Sequence, residues 1–190
     1  MEKVPFLPIT PGDVAREQVQ RAHVLGLIRS FAKKGVSEEV LKKYSIEART
    51  GNIGFDRESR SSIYRDTQFG LELTYENRPV ALVSYEPIES GILIKQLQAA
   101  KKANEKLDAL RWELLLVTAV KELARQMPGC REVRLIKGEE VRYDGPEWTG
   151  GRTEEQFRGD MEKRYDITAK RSRFTWDEKS RRWVYKLEGS

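Results

Sequence analysis

The stretch that decides the fold is residues 69–98, FGLELTYENRPVALVSYEPIESGILIKQLQ. It contains three runs rich in apolar and β-branched residues: Phe69–Tyr75, Pro79–Tyr85 and Ile92–Gln98. Short segments of turn-forming residues separate the runs, and connections of this length join antiparallel strands. The sequence therefore predicts three consecutive antiparallel strands at the centre of a sheet.

A long helix and a further strand follow these three. The helix pattern starts near Ala99 or Asn104 and ends at a Pro-Gly pair after Met127. Apolar residues recur along it at helical spacing, among them Leu110, Leu114, Val117 and Leu123. Arg131–Ile136 is then a strand. Because a helical crossover joins parallel strands, we expect this strand to lie parallel to Ile92–Gln98 and beside it.

The residues before the central stretch predict helices and a loop. Val4–Ile9 is interrupted by prolines and suits an edge strand, and Thr10 begins a capped amphipathic helix that Gly35 ends. Ser37 is the N-cap of a second, short helix. Ala48–Gln68 is polar and contains glycine, so we interpret it as a long loop, which is usually functional or mobile.

The residues after the fourth strand complete an α+β domain. Lys137–Arg152 is irregular, and a capping box at Thr153 starts a helix that runs to about Tyr165. Thr168–Trp176 and Arg181–Leu187 form a closing hairpin. We therefore expect one domain over the 190 residues, built on a single mixed, mostly antiparallel sheet flanked by helices.

Composition excludes several classes of protein. The longest apolar run, Leu114–Val117, is far shorter than the roughly 20 residues of a membrane span, and no signal peptide is recognisable at Met1, so no membrane association is expected. A single cysteine, Cys130, forms no internal disulfide, which favours a reducing, cytoplasmic setting. The net charge of +5 permits a polyanionic partner without requiring one.

The order of elements resembles that of the GNAT-type N-acetyltransferase superfamily. Arg111–Leu135 is similar to the central helix of that family and the strand after it, and Tyr165–Leu187 is similar to its last helix end and hairpin. The resemblance implies a GNAT-like fold. It also implies transfer of an acyl group from acetyl-CoA or another acyl-CoA to an amine, whose identity the sequence leaves unknown.

One motif of the family is degenerate in this chain. Small residues normally let the first amides of the central helix approach the pyrophosphate of CoA. Here Leu114 and Leu116 follow Arg111 at those positions. The resemblance then implies that charge holds the cofactor, through the cofactor-binding candidates Gln98, Lys101, Lys102, Lys106 and Arg111. The alternative is that these lysines form a solvated start to the helix.

Acid and base candidates follow from the same resemblance. Acyl transfer needs an acid for the leaving thiolate and an acceptor for the amine proton, and a backbone amide within Leu93–Leu97 would hold the oxyanion. Tyr165 is the catalytic candidate for the acid, one helical turn beyond the expected position at Met161, or else a packed aromatic. Glu86 is the candidate base, or else a surface charge; Glu72 alternates with leucines and should face water.

The remaining candidate residues can be explained without a catalytic or binding role. His23 has no metal-ligand partner nearby in sequence, and no histidine is placed to activate Cys130. In the closing hairpin one face is aromatic, with Phe174, Trp176, Trp183, Tyr185 and Leu187, and the other is basic, with Arg171, Arg173, Arg182 and Lys186. The basic face is either solvated or binds phosphates of nucleic acid, and the second interpretation is not favoured because the stacking aromatics lie opposite.

The expected site is a cleft beside the head of the long helix. We expect it between the end of Ile92–Gln98 and the start of Arg131–Ile136, lined or covered by Tyr143, Trp148 and the Ala48–Gln68 loop. Three functions stay open: a GNAT-like acyltransferase, a non-catalytic protein of that fold that binds a ligand or partner, and a nucleic-acid-binding module.

Overall fold

The computed structural model describes residues 21–51, 54–55, 63–147 and 149–188. The helices of this part are α1 Arg21–Ser30, α2 Glu38–Leu41, α3 Asn104–Leu107, α4 Trp112–Gln126, α5 Glu154–Glu162 and α6 Thr168–Arg171. The strands are β1 Tyr44–Thr50, β2 Gly54–Phe55, β3 Tyr64–Arg65, β4 Phe69–Tyr75, β5 Arg78–Ile88, β6 Gly91–Ala99, β7 Glu132–Leu135, β8 Thr175–Asp177 and β9 Arg182–Lys186. A turn of 3-10 helix, Gly138–Glu140, and a π-helical turn, Lys163–Ile167, lie between them.

Seven strands form one mixed, open sheet in the order β1-β4-β5-β6-β7-β9-β8, and β2 and β3 form a separate small ladder. All neighbours in the large sheet are antiparallel except β6 and β7, which are parallel. The predicted antiparallel trio, the parallel fourth strand and the α+β class are therefore confirmed. Helix α4 joins β6 to β7 and packs on β4, β5, β6 and β7. No helix in the described ranges is long and apolar enough to cross a lipid bilayer.

The prediction of a loop over Ala48–Gln68 is wrong at its start. Ala48, Arg49 and Thr50 belong to β1, which pairs antiparallel with β4 over seven residues. Gly54–Phe55 also pairs, with β3. The inward side chains of β1 belong to Tyr44 and Ile46, so the apolar alternation of the strand lies before the stretch that we interpreted as a loop. The strand predicted at Val4–Ile9 and the helix start predicted at Thr10 lie outside the described residues.

Glu72 does not face water as predicted. Glu72 is 1% exposed, because β1 lies beside β4 and supplies the guanidinium of Arg49. The Arg49 Nε donates to the Glu72 carboxylate at 2.8 Å. The carboxylate therefore keeps a charged partner when pairing with β1 removes it from solvent.

The long helix begins later than predicted, at Trp112, and α3 is a separate turn before it. The chain between them leaves the helical path, and its backbone bonds to the segment after α1. Lys33 N–H donates to Ala109 C=O at 2.9 Å, and Arg111 N–H donates to Phe31 C=O at 2.9 Å. These groups are unavailable for helical hydrogen bonds, so α4 starts immediately after Arg111.

The C-terminal helical segment runs further than predicted. It continues from α5 through the π-helical turn to Arg171, and the strand predicted over Thr168–Trp176 is confined to β8. The segment ends in a Schellman-type cap, in which Phe174 N–H donates to Ala169 C=O at 3.0 Å. Arg173 occupies the left-handed position of the cap, with φ of 64°. Glycine normally marks this position, so no local residue pattern indicated the end of the helix here.

Strand β6 extends beyond its parallel neighbour, and this positions the site. β7 pairs with residues Gly91–Ile94 of β6, and Ile136 N–H makes the last bond, to Ile94 C=O, at 3.2 Å. Lys95 is an extra residue in β6 relative to β5, and a bulge of this kind bends a strand. The remainder of β6, to Ala99, pairs only with β5. An opening therefore forms between β6 and β7.

Lys121 connects α4 to the C-terminal hairpin. Lys121 is 7% exposed, and its Nζ donates to Ser172 C=O at 3.0 Å. The same Nζ lies 3.7 Å from the centre of the Tyr185 ring and 5.8 Å from that of Phe174. Burial lowers the pKa of this amine to about 8. The hairpin is thus held to the helix by a buried cation on two aromatic faces.

We expect Gly91→Ala to destabilise the protein by about 1–3 kcal/mol, because added volume in a closely packed position forces the backbone to shift. A Cβ at this position would lie 1.9 Å from the carbonyl oxygen of Glu132, in the parallel pair of strands. Urea unfolding followed by circular dichroism measures the change.

The matched control is Gly159→Ala in α5, where an added Cβ meets no atom within 4 Å. Alanine favours a helix over glycine, so this variant should gain about 0.5–1 kcal/mol. An equal effect of both substitutions would contradict the close approach of β6 and β7 at Gly91.

Candidate functional site

A cavity of about 430 Å³ lies at the head of α4, within the size range of small-molecule sites. The end of β6, the α3 turn, the start of α4 and the π-helical turn surround it. Its lining residues are Lys33, Ala99, Asn104, Leu107, Asp108, Leu110, Arg111, Trp112, Glu113, Leu114, Lys163, Arg164, Ile167, Thr168 and Arg171. The cavity lies beside the head of the long helix, as predicted, but not between the two strands, because no residue of Ile92–Gln98 or Arg131–Ile136 lines it.

The lining carries five cationic side chains against two acidic ones. Lys33 and Asp108 are 3.8 Å apart and partly neutralise each other. Arg111, Lys163 and Arg171 form no ion pair with any residue that the structure describes. Exposed cations grouped around a concavity without counter-charges produce a positive potential there. The cavity is therefore suited to an anion.

The start of α4 adds to this potential. Its N-cap, Arg111, makes no side-chain cap, so the amide that faces a carboxyl oxygen is that of Glu113, which bonds to its own side chain, and the N-cap residue itself supplies no oxygen. The helix dipole places partial positive charge at the same end. Leu114 lines the cavity, whereas Leu116 is fully buried elsewhere in the core.

Glu113 is the acid closest to the helix start. Burial raises the pKa of its carboxyl, while a hydrogen bond from its own backbone and the charges of Arg164 and Lys33 lower it, and the pKa ends above its ordinary value. A carboxyl held toward its neutral form subtracts less from the positive potential of the cavity. It is also a candidate proton acceptor that the sequence did not suggest.

Apart from Asn104 and Thr168, apolar side chains provide the rest of the lining. Leu107 and Leu110 are buried, and Leu114 is half-buried. Ile167, on the π-helical turn, is 37% exposed and is one of the two exposed large hydrophobic residues of the described part. A ligand with both charged and apolar parts fits this mixed surface.

Tyr165 and Arg164 close the strand opening beside the cavity. Leu97 N–H donates to the Tyr165 hydroxyl at 2.8 Å, and Arg164 Nη1 donates to Leu97 C=O at 3.4 Å. Tyr165 is 2% exposed, and burial raises its pKa to about 12. Its hydroxyl therefore keeps its proton at neutral pH, and it occupies an amide that we predicted to hold an oxyanion.

The predicted cofactor-binding residues separate in the structure. Arg111 lines the cavity, whereas Gln98 accepts a hydrogen bond from the Gln96 side chain at 2.7 Å. Lys101 and Lys102 are exposed on the turn after β6, outside the lining. Lys106 Nζ lies 5.7 Å from the centre of the Tyr75 ring, also outside it.

Glu86, the predicted base, is not brought to the cavity. Its side chain is 41% exposed and lies 3.5 Å from Lys95. It is opposite Leu93 in the sheet, while the cavity begins at Ala99. Six residues of strand separate those two positions, or about 20 Å. Tyr165 and Glu86 therefore do not form a pair around one reacting group.

The elements expected to cover the cleft lie elsewhere or outside the described part. Tyr143 packs on Phe157, and its hydroxyl donates to Arg152 C=O at 2.9 Å. Trp148 is not among the described residues. The described residues of the Ala48–Gln68 stretch do not line the cavity. Gln96 holds part of that stretch on the sheet by donating to Tyr64 C=O at 2.7 Å.

The cavity residues that the sequence did not suggest are Lys33, Glu113, Lys163, Arg164 and Arg171. Three of these cations come from the helical segment after α5, whose sequence KRYDITAKRSR is visibly basic. That density was a usable signal. We interpreted its second half as a strand, which placed Arg171 on the wrong kind of element.

The two faces of the hairpin are as expected in β9, but its cations are engaged. Trp176 and Trp183 pair, with ring centroids 5.4 Å apart. On the other face Arg182 binds Glu140 at 2.7 Å, and Lys186 binds the buried carboxylate of Glu132. Carboxylates thus occupy both cations of β9, whereas Arg171 lies on α6 and Arg173 in the cap of that helix, outside the two strands of the hairpin.

The surroundings of His23 and Cys130 indicate structural roles. His23 is exposed, and its Nε2 is 2.8 Å from a Glu122 carboxylate oxygen. Cys130 is buried, and burial raises the pKa of its thiol. Within the described ranges no three or more His, Cys, Asp or Glu side chains are grouped to hold a metal ion.

Comparison of the chain with protein-family models, with curated proteins and with solved structures finds no match in any of the three.

We expect Glu113→Gln to be more stable than the unmodified protein at about pH 7 and equally stable at about pH 4, near the ordinary pKa of glutamate. A carboxyl whose pKa is raised by folding stabilises the native state at low pH, and this contribution is lost as pH rises through the folded pKa. Glutamine mimics the protonated form at every pH. Urea unfolding at the two pH values measures the difference.

The control is Glu105→Gln on the exposed side of α3, which should change stability by less than about 0.5 kcal/mol at either pH. If Glu113→Gln were instead destabilising at neutral pH, the carboxylate would act mainly as a favourable charge at the helix start.

Proposed function

We propose that the chain binds an organic polyanion of the acyl-CoA class in the cavity at the head of α4. The observation that carries the proposal is the group formed by Arg111, Lys163 and Arg171, three cations without ion-pair partners in the described part, around an uncapped helix start. Phosphates suit such a group, and the apolar lining suits the remainder of the ligand.

The strand arrangement supports the choice of ligand class. Two parallel strands, β6 and β7, are joined by α4, and they separate after Ile94 beside the cavity. This arrangement resembles that of GNAT-type N-acetyltransferases, as does the order of the surrounding elements. The resemblance is a likeness of architecture, and fold does not fix function.

In the proposed site guanidinium groups bind the phosphates, in place of backbone amides that small residues would leave accessible. Leu114 prevents close contact between a phosphate and the amides of α4, so long side chains must reach the ligand. Arginine presents a planar fork of donors that matches two phosphate oxygens at once. Arg111 and Arg171 therefore carry the contact, and Arg164 can join them.

Transfer of the acyl group to an amine is the second candidate function, and Tyr165 favours it. The amine nitrogen would attack the thioester carbonyl carbon, the carbon–sulfur bond would break, and the leaving thiolate would take the tyrosine proton. The hydroxyl of Tyr165 is protonated at neutral pH and lies at a strand amide. The position of Glu86 opposes this function, so ligand binding comes first. An acceptor amine stays unidentified.

We expect Arg111→Gln/Arg171→Gln to weaken CoA binding by about ten- to a hundredfold, the loss that follows from removing hydrogen bonds to a charged group. Isothermal titration calorimetry with CoA measures the affinity, and the weakening should diminish at high salt, where charge is screened.

The matched control is Lys101→Glu/Lys102→Glu, which changes exposed cations outside the cavity. If the lysines and Arg111 hold the phosphates together, as the sequence suggested, both variants lose CoA. If the guanidinium groups around the cavity hold them, only the arginine variant loses CoA. Absence of CoA binding by the unmodified protein at millimolar concentration would overturn the proposal. Release of free thiol from acetyl-CoA in the presence of amines, abolished in Tyr165→Phe, tests the second candidate.

A further inference from the structure

The backbone of Leu97 is satisfied by side chains where a neighbouring strand would normally do so. On the edge of β6 that β7 no longer accompanies, the Leu97 N–H donates to the Tyr165 hydroxyl and the Leu97 C=O accepts from Arg164. A buried backbone group without a partner costs as much as a lost hydrogen bond. Tyr165 and Arg164 therefore take the place of one residue of an adjacent strand.

A rare backbone geometry delivers these two side chains together. They are consecutive residues of the π-helical turn Lys163–Ile167, between α5 and α6. In an α-helix consecutive side chains point about 100° apart. π-Helical turns are uncommon and frequently occur at functional sites. The next residue, Asp166, fixes the turn, since it accepts from Trp183 Nε1 and from Gly138 N–H.

Arg164 belongs to the strand opening and to the cavity at once. Its guanidinium lies 5.7 Å from the centre of the Trp112 ring and lines the cavity. Its bond to Leu97 C=O is long, at 3.4 Å, and a hydrogen bond of that length is weak. A phosphate offers the same donor a shorter, charge-assisted bond.

We propose that Tyr165 and Arg164 form a displaceable plug in the strand opening, and that an anion in the cavity loosens it by drawing Arg164 away from Leu97. This inference rests on the proposed function, because it uses the same cavity. The plug makes the free protein a closed state. The apparent affinity for a ligand is then the affinity of the open form multiplied by the fraction of molecules that are open.

Hydrogen exchange of the Leu97 amide, followed by NMR, tests the plug directly, with inorganic pyrophosphate as the probe. In the unmodified protein we expect slow exchange that accelerates at saturating pyrophosphate. In Tyr165→Phe the amide loses its acceptor, so exchange should be fast without the probe. Pyrophosphate should also bind this variant about two- to tenfold more tightly, the range set by one ordinary hydrogen bond.

Matched controls come from the same region. Tyr143→Phe removes a tyrosine hydroxyl that donates to the carbonyl of Arg152. Arg158→Gln removes a guanidinium on α5 that donates to the carbonyls of Glu139 and Val141. Neither should alter the exchange of the Leu97 amide or the affinity for pyrophosphate.

The outcomes separate the plug from the proposed function. Pyrophosphate that binds without changing Leu97 exchange overturns the plug and leaves the anion site standing. Binding by Tyr165→Phe but not by the unmodified protein supports the plug, and binding by neither overturns both proposals. If circular dichroism shows that Tyr165→Phe is unfolded, Arg164→Gln carries the test: exchange should be faster than in the unmodified protein and unresponsive to pyrophosphate.

Discussion

The backbone hydrogen bonds of β6 must be satisfied along its whole length, although β7 accompanies it only as far as Ile94. A central strand has no water to compensate for a missing neighbour. The π-helical turn meets this requirement by aiming Tyr165 and Arg164 at Leu97. Because that turn continues from α5, the position of the C-terminal helix and the wall of the cavity are both determined by where β7 departs.

Charge is organised around this constraint. Elsewhere in the described part many cations are paired, as Arg49 is with Glu72 and Lys186 with Glu132. Around the cavity the cations come from three separate places in the chain, and among the residues that the structure describes only Lys33 has a carboxylate within ion-pair distance. Holding like charges together costs free energy, which an anionic ligand would recover. The grouping of cations without ion-pair partners around the cavity is therefore more informative about function than the modest net charge of the whole chain.

Sequence reasoning succeeded where the signal is local. Alternation and turns identified the three central strands, and the capping box at Thr153 began a helix at the next residue. It failed where the cause is tertiary. Arg111 is non-helical because its amide bonds to a distant segment, and Glu72 is buried because β1 lies beside it. For the site, Arg111 was foreseen. The cations of the π-helical turn were not, because no local pattern announces such a turn.

The order in which the strands are made has a consequence for the nascent chain. β9 lies between β7 and β8 in the sheet but is synthesised after both. Until β9 emerges from the ribosome, β7 presents an unpaired edge, and Lys121 lacks the ring of Tyr185 beside it. The last two strands of the sheet therefore cannot be added in the order in which they are synthesised. A chain stalled before β9 would expose an edge open to pairing with other molecules, so chaperone protection matters most in that interval.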